Sequence, residues 1–178
     1  MLILNHQLTD AVQIASPNFN ERPDENDISL VVIHCISLPP DEFGADYITD
    51  LFCNRLNPNA HPYFQEIYTL QVSAHLLIHR DGQCVQYVPF NKRAWHAGKS
   101  IFQGCENCND FSIGIELEGA ETIAYTAAQY EKLNQVLAAL FETYPTLKYL
   151  AGHCDIAPKR KTDPGASFDW SQIHQHKG

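Results

Sequence analysis

Apolar side chains along this chain fall into two rhythms, and each rhythm marks a different kind of element. Ile28-Ser29-Leu30-Val31-Val32-Ile33-His34 is an almost unbroken apolar run stopped by Ser37-Leu38-Pro39-Pro40, and it predicts a central strand, covered on both faces, that ends at His34. Between Asp110 and Gly119 the alternation is strict. Phe111, Ile113, Ile115 and Leu117 project to one face, and Ser112, Gly114, Glu116 and Glu118 to the other. Val72 to His79 and Gln83 to Val88 flank Asp81-Gly82 and predict a hairpin. From Thr126 to Thr143 the period changes to that of a helix. Tyr130, Leu133, Leu137, Leu140, Phe141 and Tyr144 trace one stripe behind a capping box made by Thr126 and Gln129. Shorter helices are predicted over Ala45 to Leu51 and from Phe168 to His176, with a short strand at Tyr149 to Gly152. The sum is an α/β fold: one domain over 1–178, a central mixed β-sheet with helices on both faces, a core at about 29–170, and an irregular N-terminal lead-in over 1–28.

Composition narrows the function classes. A chain of 178 residues is long enough for a substantial core, and no stretch approaches the ~20 apolar residues that span a bilayer. A net charge of −9 argues against nucleic acid or an anionic membrane as partner. Met1-Leu2-Ile3-Leu4-Asn5-His6 lacks the basic start, apolar core and cleavage site of a secretory signal, so a cytoplasmic protein is expected, working as a monomer. With no secretory signal, the six cysteines are expected to be reduced thiols. Cys105-Glu106-Asn107-Cys108 has the spacing of half a structural zinc site, but no second such pair closes it.

The chemistry concentrates in the Gly/Pro-bounded loop from Gly152 to Gly165. It carries His153, Lys161 and Asp163, an imidazole and a carboxylate of the kind that bind catalytic zinc, with an ammonium beside them. His34, closing a central strand at a sheet edge, is the candidate third ligand. His75 and His79 fall on one face of the hairpin's first strand and form a rival pair, with His75 expected to be structural. On the polar face of the alternating strand, Glu116 and Glu118 are both candidates for the general base, and periodicity does not separate them. Trp95 offers an apolar wall for a sugar face or a core aromatic, and His96 a hydrogen-bonding group in the cleft or behind the ligands.

His34 with Ser37-Leu38-Pro39-Pro40, Trp95-His96-Ala97-Gly98, Asn109 through Gly119, and His153 through Gly165 stand in the order of the type 2 N-acetylmuramoyl-L-alanine amidases. The chain resembles that family from about Ser29 to Trp170, and most of all its 1,6-anhydro-N-acetylmuramyl-L-alanine branch of cytosolic peptidoglycan recycling. The resemblance implies the amidase/peptidoglycan-recognition-protein fold and one Zn2+ per chain held by His34, His153 and Asp163. It also implies Glu116 and Lys161 as the catalytic pair and an anhydro-muropeptide as substrate. Cys35, Gln71, Asn107 and Ala157, with Trp95 and His96, are the positions at which it implies substrate contact. Three of them depart from the family's usual residues: Cys35 replaces Asn, and Gln71 and Asn107 replace Arg, which implies a weaker grip on the carboxylates of a stem peptide. The main alternative is a non-catalytic module that binds peptidoglycan fragments; a zinc peptidase is disfavoured because no His-Glu-x-x-His helix is present.

Overall fold

The two strongest sequence patterns become neighbouring strands. The computed structural model describes residues 1–174, and in it Leu30–Ile36 pairs in parallel with Ser112–Glu118 on one side and with Tyr149–Gly152 on the other. Leu76–Ile78 adds in parallel to the far edge of Ser112–Glu118, Cys84–Gln86 returns antiparallel to it, and Val12–Gln13 closes the six-stranded mixed sheet in parallel with Cys84–Gln86. The Asp81-Gly82 pair makes the hairpin turn between the two shorter strands, with Gly82 at φ +85°, a conformation that costs glycine nothing.

The alternation in Ser112–Glu118 sorts its side chains between layers. Ile113, Ile115 and Leu117 join Val31 and Ile33 beneath Leu133, Val136, Leu137 and Leu140 of the helix Ala127–Thr143. Each such aliphatic side chain contributes about 1.5–3 kcal/mol when fully buried. Thr126 starts this helix with the predicted capping box: its side chain accepts from Gln129 N–H at 3.1 Å, and its own N–H donates to Gln129 Oε1 at 3.1 Å. The opposite face is covered by the short helices Tyr47–Phe52 and Phe64–Ile67, packed with Leu77, Val85 and Tyr87, and by a smaller cluster around Leu30, Val32 and Ile156.

Three details differ from the sequence pattern. The first strand does not end at His34, because Cys35 and Ile36 continue the ladder opposite Leu117 and Glu118. The helix expected from Phe168 is one tight turn, Trp170–Gln172, since Asp169 turns its side chain onto Ser171 N–H and Ile173 is already extended; His176 lies outside the described residues. The first twenty-eight residues are less irregular than their composition implies: four two-residue strands form there, one of them the sheet-edge strand Val12–Gln13.

Candidate metal centre and its cleft

Register brings the candidate residues together. In the parallel ladder His34 is the partner of Glu116, so the two side chains stand side by side on the face opposite the long helix. Gly152 pairs with Ile33, which starts the short helix His153–Ile156 next to His34. The following loop folds back so that Cys154 N–H donates to the Asp163 carbonyl at 2.9 Å, returning Asp163 to His153. All of this lies toward the carboxyl ends of the parallel strands, where open α/β sheets place their sites.

The result is a triangle of ligand atoms. His34 Nδ1 lies 3.0 Å from His153 Nδ1 and 3.2 Å from Asp163 Oδ2, and His153 Nδ1 lies 3.0 Å from Asp163 Oδ2. Among the described residues this is the one His/Cys/Asp/Glu group of metal-binding geometry. Ligands at ~2.0–2.2 Å from a tetrahedral ion stand ~3.3–3.6 Å apart, so the triangle needs only a slight expansion to seat zinc. Burial, only partly opposed by Asp163, draws the His34 pKa down to about 4. Burial would raise the Asp163 carboxyl, but bonds from His153 and His34 outweigh it and hold the group well below the usual carboxylate range. A neutral imidazole and an ionised carboxylate are the states a metal requires.

The triangle forms part of the wall of a cleft of about 750 Å³, which Glu116, Lys161, Trp95 and His96 also line. Burial raises the Glu116 carboxyl well above its ordinary value, and Asp163 adds to the rise while Lys161 works against it. Glu116 Oε2 is buried and accepts no hydrogen bond. Trp95 is a cleft residue and not a core one, its indole N–H donating to Asn20 Oδ1 at 2.7 Å. Cys35 borders the cleft but packs against the core under the long helix. Gln71 and Asn107 are exposed and stand outside the cleft lining; Ala157 is buried, its carbonyl capped by the N–H groups of Arg160 and Lys161.

Glu118 shares the face of Glu116 but not its freedom. It accepts from Gly44 N–H at 2.6 Å, from Arg80 N–H at 3.1 Å and from the His79 ring at 3.1 Å. The bond to Glu118 raises the His79 pKa; burial pushes Glu118 up, but its three donors bring it below the ordinary value. The rival histidine pair is thereby dissolved, because His75 instead takes Gly114 N–H on Nδ1 at 3.0 Å and faces Lys92 O at 2.9 Å through Nε2. The ion pair sets a pH dependence. The His79 contribution is complete below its unfolded pKa of ~6.5 and is lost as pH rises through the higher folded value. The Glu118 contribution is present above ~4.3 and is lost as pH falls. Thermal unfolding of wild type against His79→Gln should therefore show a gap equivalent to about 1 kcal/mol or less near pH ~6 that narrows toward pH ~8.5. A gap that widens with pH would rule out the charged pair.

Two buried polar residues outside the cleft lining, Arg22 and Asn109, hold the backbone behind it. Arg22, from a polar segment with no periodicity, buries its guanidinium and donates to the carbonyls of Asn109, Asp110, Phe90 and Ser112, fixing the start of the Glu116 strand. Asn109 Oδ1 accepts from both His96 N–H and Ala97 N–H at 3.1 and 2.8 Å.

Comparison with known proteins agrees with this architecture. The profile of the family described as N-acetylmuramoyl-L-alanine amidase matches residues 24–166. A 1,6-anhydro-N-acetylmuramyl-L-alanine amidase AmpD from Citrobacter freundii is 58% identical over 174 residues, covering 97% of this chain and 93% of that protein. The crystal structure of a selenomethionine AmpD derivative superposes with a TM-score of 0.95 at 57% identity, covering 97% of both chains. A complex of the amidase AmiD from E. coli with anhydro-N-acetylmuramic acid-L-Ala-D-γ-Glu-L-Lys matches at a TM-score of 0.61 and 29% identity, over 82% of this chain and 56% of that one.

Proposed function

The chain belongs to the N-acetylmuramoyl-L-alanine amidase family, and on that premise we propose that it uses zinc to hydrolyse the amide between the lactyl group of 1,6-anhydro-N-acetylmuramic acid and L-alanine during cytoplasmic peptidoglycan recycling. The amidase domain is taken as the whole of 1–178, with its core at about 29–170. The observation that carries the reading is the convergence of His34 Nδ1, His153 Nδ1 and Asp163 Oδ2 within about 3 Å of one another beside an unpartnered Glu116 oxygen. No described helix is long and apolar enough to cross a membrane. The near full-length likeness to AmpD supports the anhydro-sugar substrate.

His34, His153 and Asp163 would hold the ion as the three protein ligands of an open site. Bound zinc supplies Lewis acidity, lowering the pKa of water toward ~7 and polarising the scissile carbonyl. Glu116, in the cleft wall beside the ligand triangle, takes the proton of the attacking water and returns it to the departing amine. Lys161 sets a positive charge at the same cleft wall for the developing oxyanion. Trp95 gives the sugar an apolar surface.

Mass spectrometry of anhydro-muropeptides incubated with the protein tests the reading. The expected products are the free anhydro-sugar and the intact peptide, abolished by chelator and restored by zinc. Binding without cleavage by the zinc-loaded protein would make it a recognition module instead. Lys161→Met should lower the single-turnover rate by ~10²–10³-fold with a smaller change in substrate affinity. An affinity defect alone would reduce Lys161 to a binding residue.

A further inference from the structure

Both candidate histidines face the ligand triangle with Nδ1, and in both the other ring nitrogen meets the same short segment, His96-Ala97. His153 Nε2 lies 3.1 Å from the Ala97 carbonyl, and His34 Nε2 lies 2.9 Å from His96 Nδ1. A carbonyl only accepts, so His153 carries its proton on Nε2 and turns a lone pair on Nδ1 to the ion. For His34 the direction has to be traced further. Ser112 Oγ stands 2.5 Å from the Cys108 carbonyl, which fixes the hydroxyl proton there, so at 3.2 Å the Ser112 oxygen accepts from His96 Nε2–H. His96 Nδ1 is then an acceptor, and His34 must donate to it through Nε2–H.

We propose that His96 is a positioning residue, anchored by Ser112, which fixes the tautomer and ring orientation of His34 as Ala97 does for His153. The inference rests on the zinc reading above. The fold makes room for this arrangement. A Cβ at residue 114 would meet the His96 ring at 2.4 Å, so the glycine in the polar face of the central strand is a seat for that ring. Asn109 holds the segment through two N–H groups, and Arg160 Nη2 donates to the carbonyls of Ala97 and Lys99, both at 2.7 Å. One segment therefore aims two of the three ligands.

The test is zinc affinity by competition with a chromophoric chelator, on His96→Phe, which keeps ring volume but accepts no hydrogen bond, and His96→Asn, whose side-chain oxygen can stand near Nδ1. Outer-shell partners of this kind are usually worth about 10–100-fold in metal affinity. His96→Phe should lose affinity in that range and His96→Asn should recover part of it. Nitrogen-15 spectra of the zinc-loaded wild type should show His96 protonated on Nε2 and bare on Nδ1. Unchanged affinity in a folded His96→Phe protein, or a His96 protonated on Nδ1, would overturn the positioning role. Should His96→Phe not fold, the Nitrogen-15 assignment in wild type decides alone. Failure of wild type itself to bind zinc would refute the metal reading, a result distinct from either.

Discussion

Asp163→Ala should yield a folded protein that no longer retains zinc and that hydrolyses anhydro-muropeptide at least ~10³-fold more slowly, since Lewis-acid assistance is worth several kcal/mol of barrier. Asp163 is the only anionic member of the ligand triangle, and its oxygen faces both imidazoles. Its removal leaves two neutral nitrogens 3.0 Å apart, with no charge to offset a divalent cation. Fold should survive, because the backbone bond from Cys154 N–H to the residue 163 carbonyl does not depend on the side chain. Elemental analysis, with circular dichroism as a control on folding, reads the outcome. Full zinc retention in a folded Asp163→Ala or His34→Ala protein would disprove the ligand assignment.

The second large effect separates two carboxylates that lie two residues apart on one face. Glu116→Ala should keep zinc and fold while turnover falls by about 10²–10⁴-fold, the range for a positioned acid or base. Glu118→Ala should act differently. Its carboxylate is already committed to Gly44 N–H, Arg80 N–H and His79, so its loss removes three hydrogen bonds worth about 0.5–1.5 kcal/mol each and lowers the melting temperature more than the rate. Steady-state kinetics beside thermal unfolding of both variants decides between them. A deeper kinetic lesion in Glu118→Ala would reverse the two roles.

These two residues also show where sequence stops being informative. Period two puts Glu116 and Glu118 on one face and gives no means of choosing, since what distinguishes them is the partner that arrives from elsewhere. His79 and Arg80 come from the hairpin and Gly44 from a loop, contacts of long sequence separation that no local pattern encodes. The long helix was legible because its signals are local: a capping box spans four positions and a stripe repeats every turn. Arg22 was invisible for the opposite reason, as its acceptors are carbonyls sixty-eight to ninety positions away. The meeting of His34, His153 and Asp163 was suggested by residue type and family resemblance, but their atomic triangle depends on strand order, which periodicity does not supply.

The pairing of Glu116 with His34 also bears on which changes of length this chain can absorb. Side chains alternate across a strand, so deleting or inserting a single residue within Leu30–Ile36 while keeping the ladder would exchange the faces of His34 and Cys35. A thiol would then face the cleft and the imidazole would be driven under the long helix, while the apolar neighbours, buried on both faces, would only exchange one core for the other. Loops around the cleft can lengthen at little cost in closure entropy. The strand beneath it has no such latitude, so diversification of this scaffold by insertion and deletion is confined to the rim, and the floor can change only by substitution.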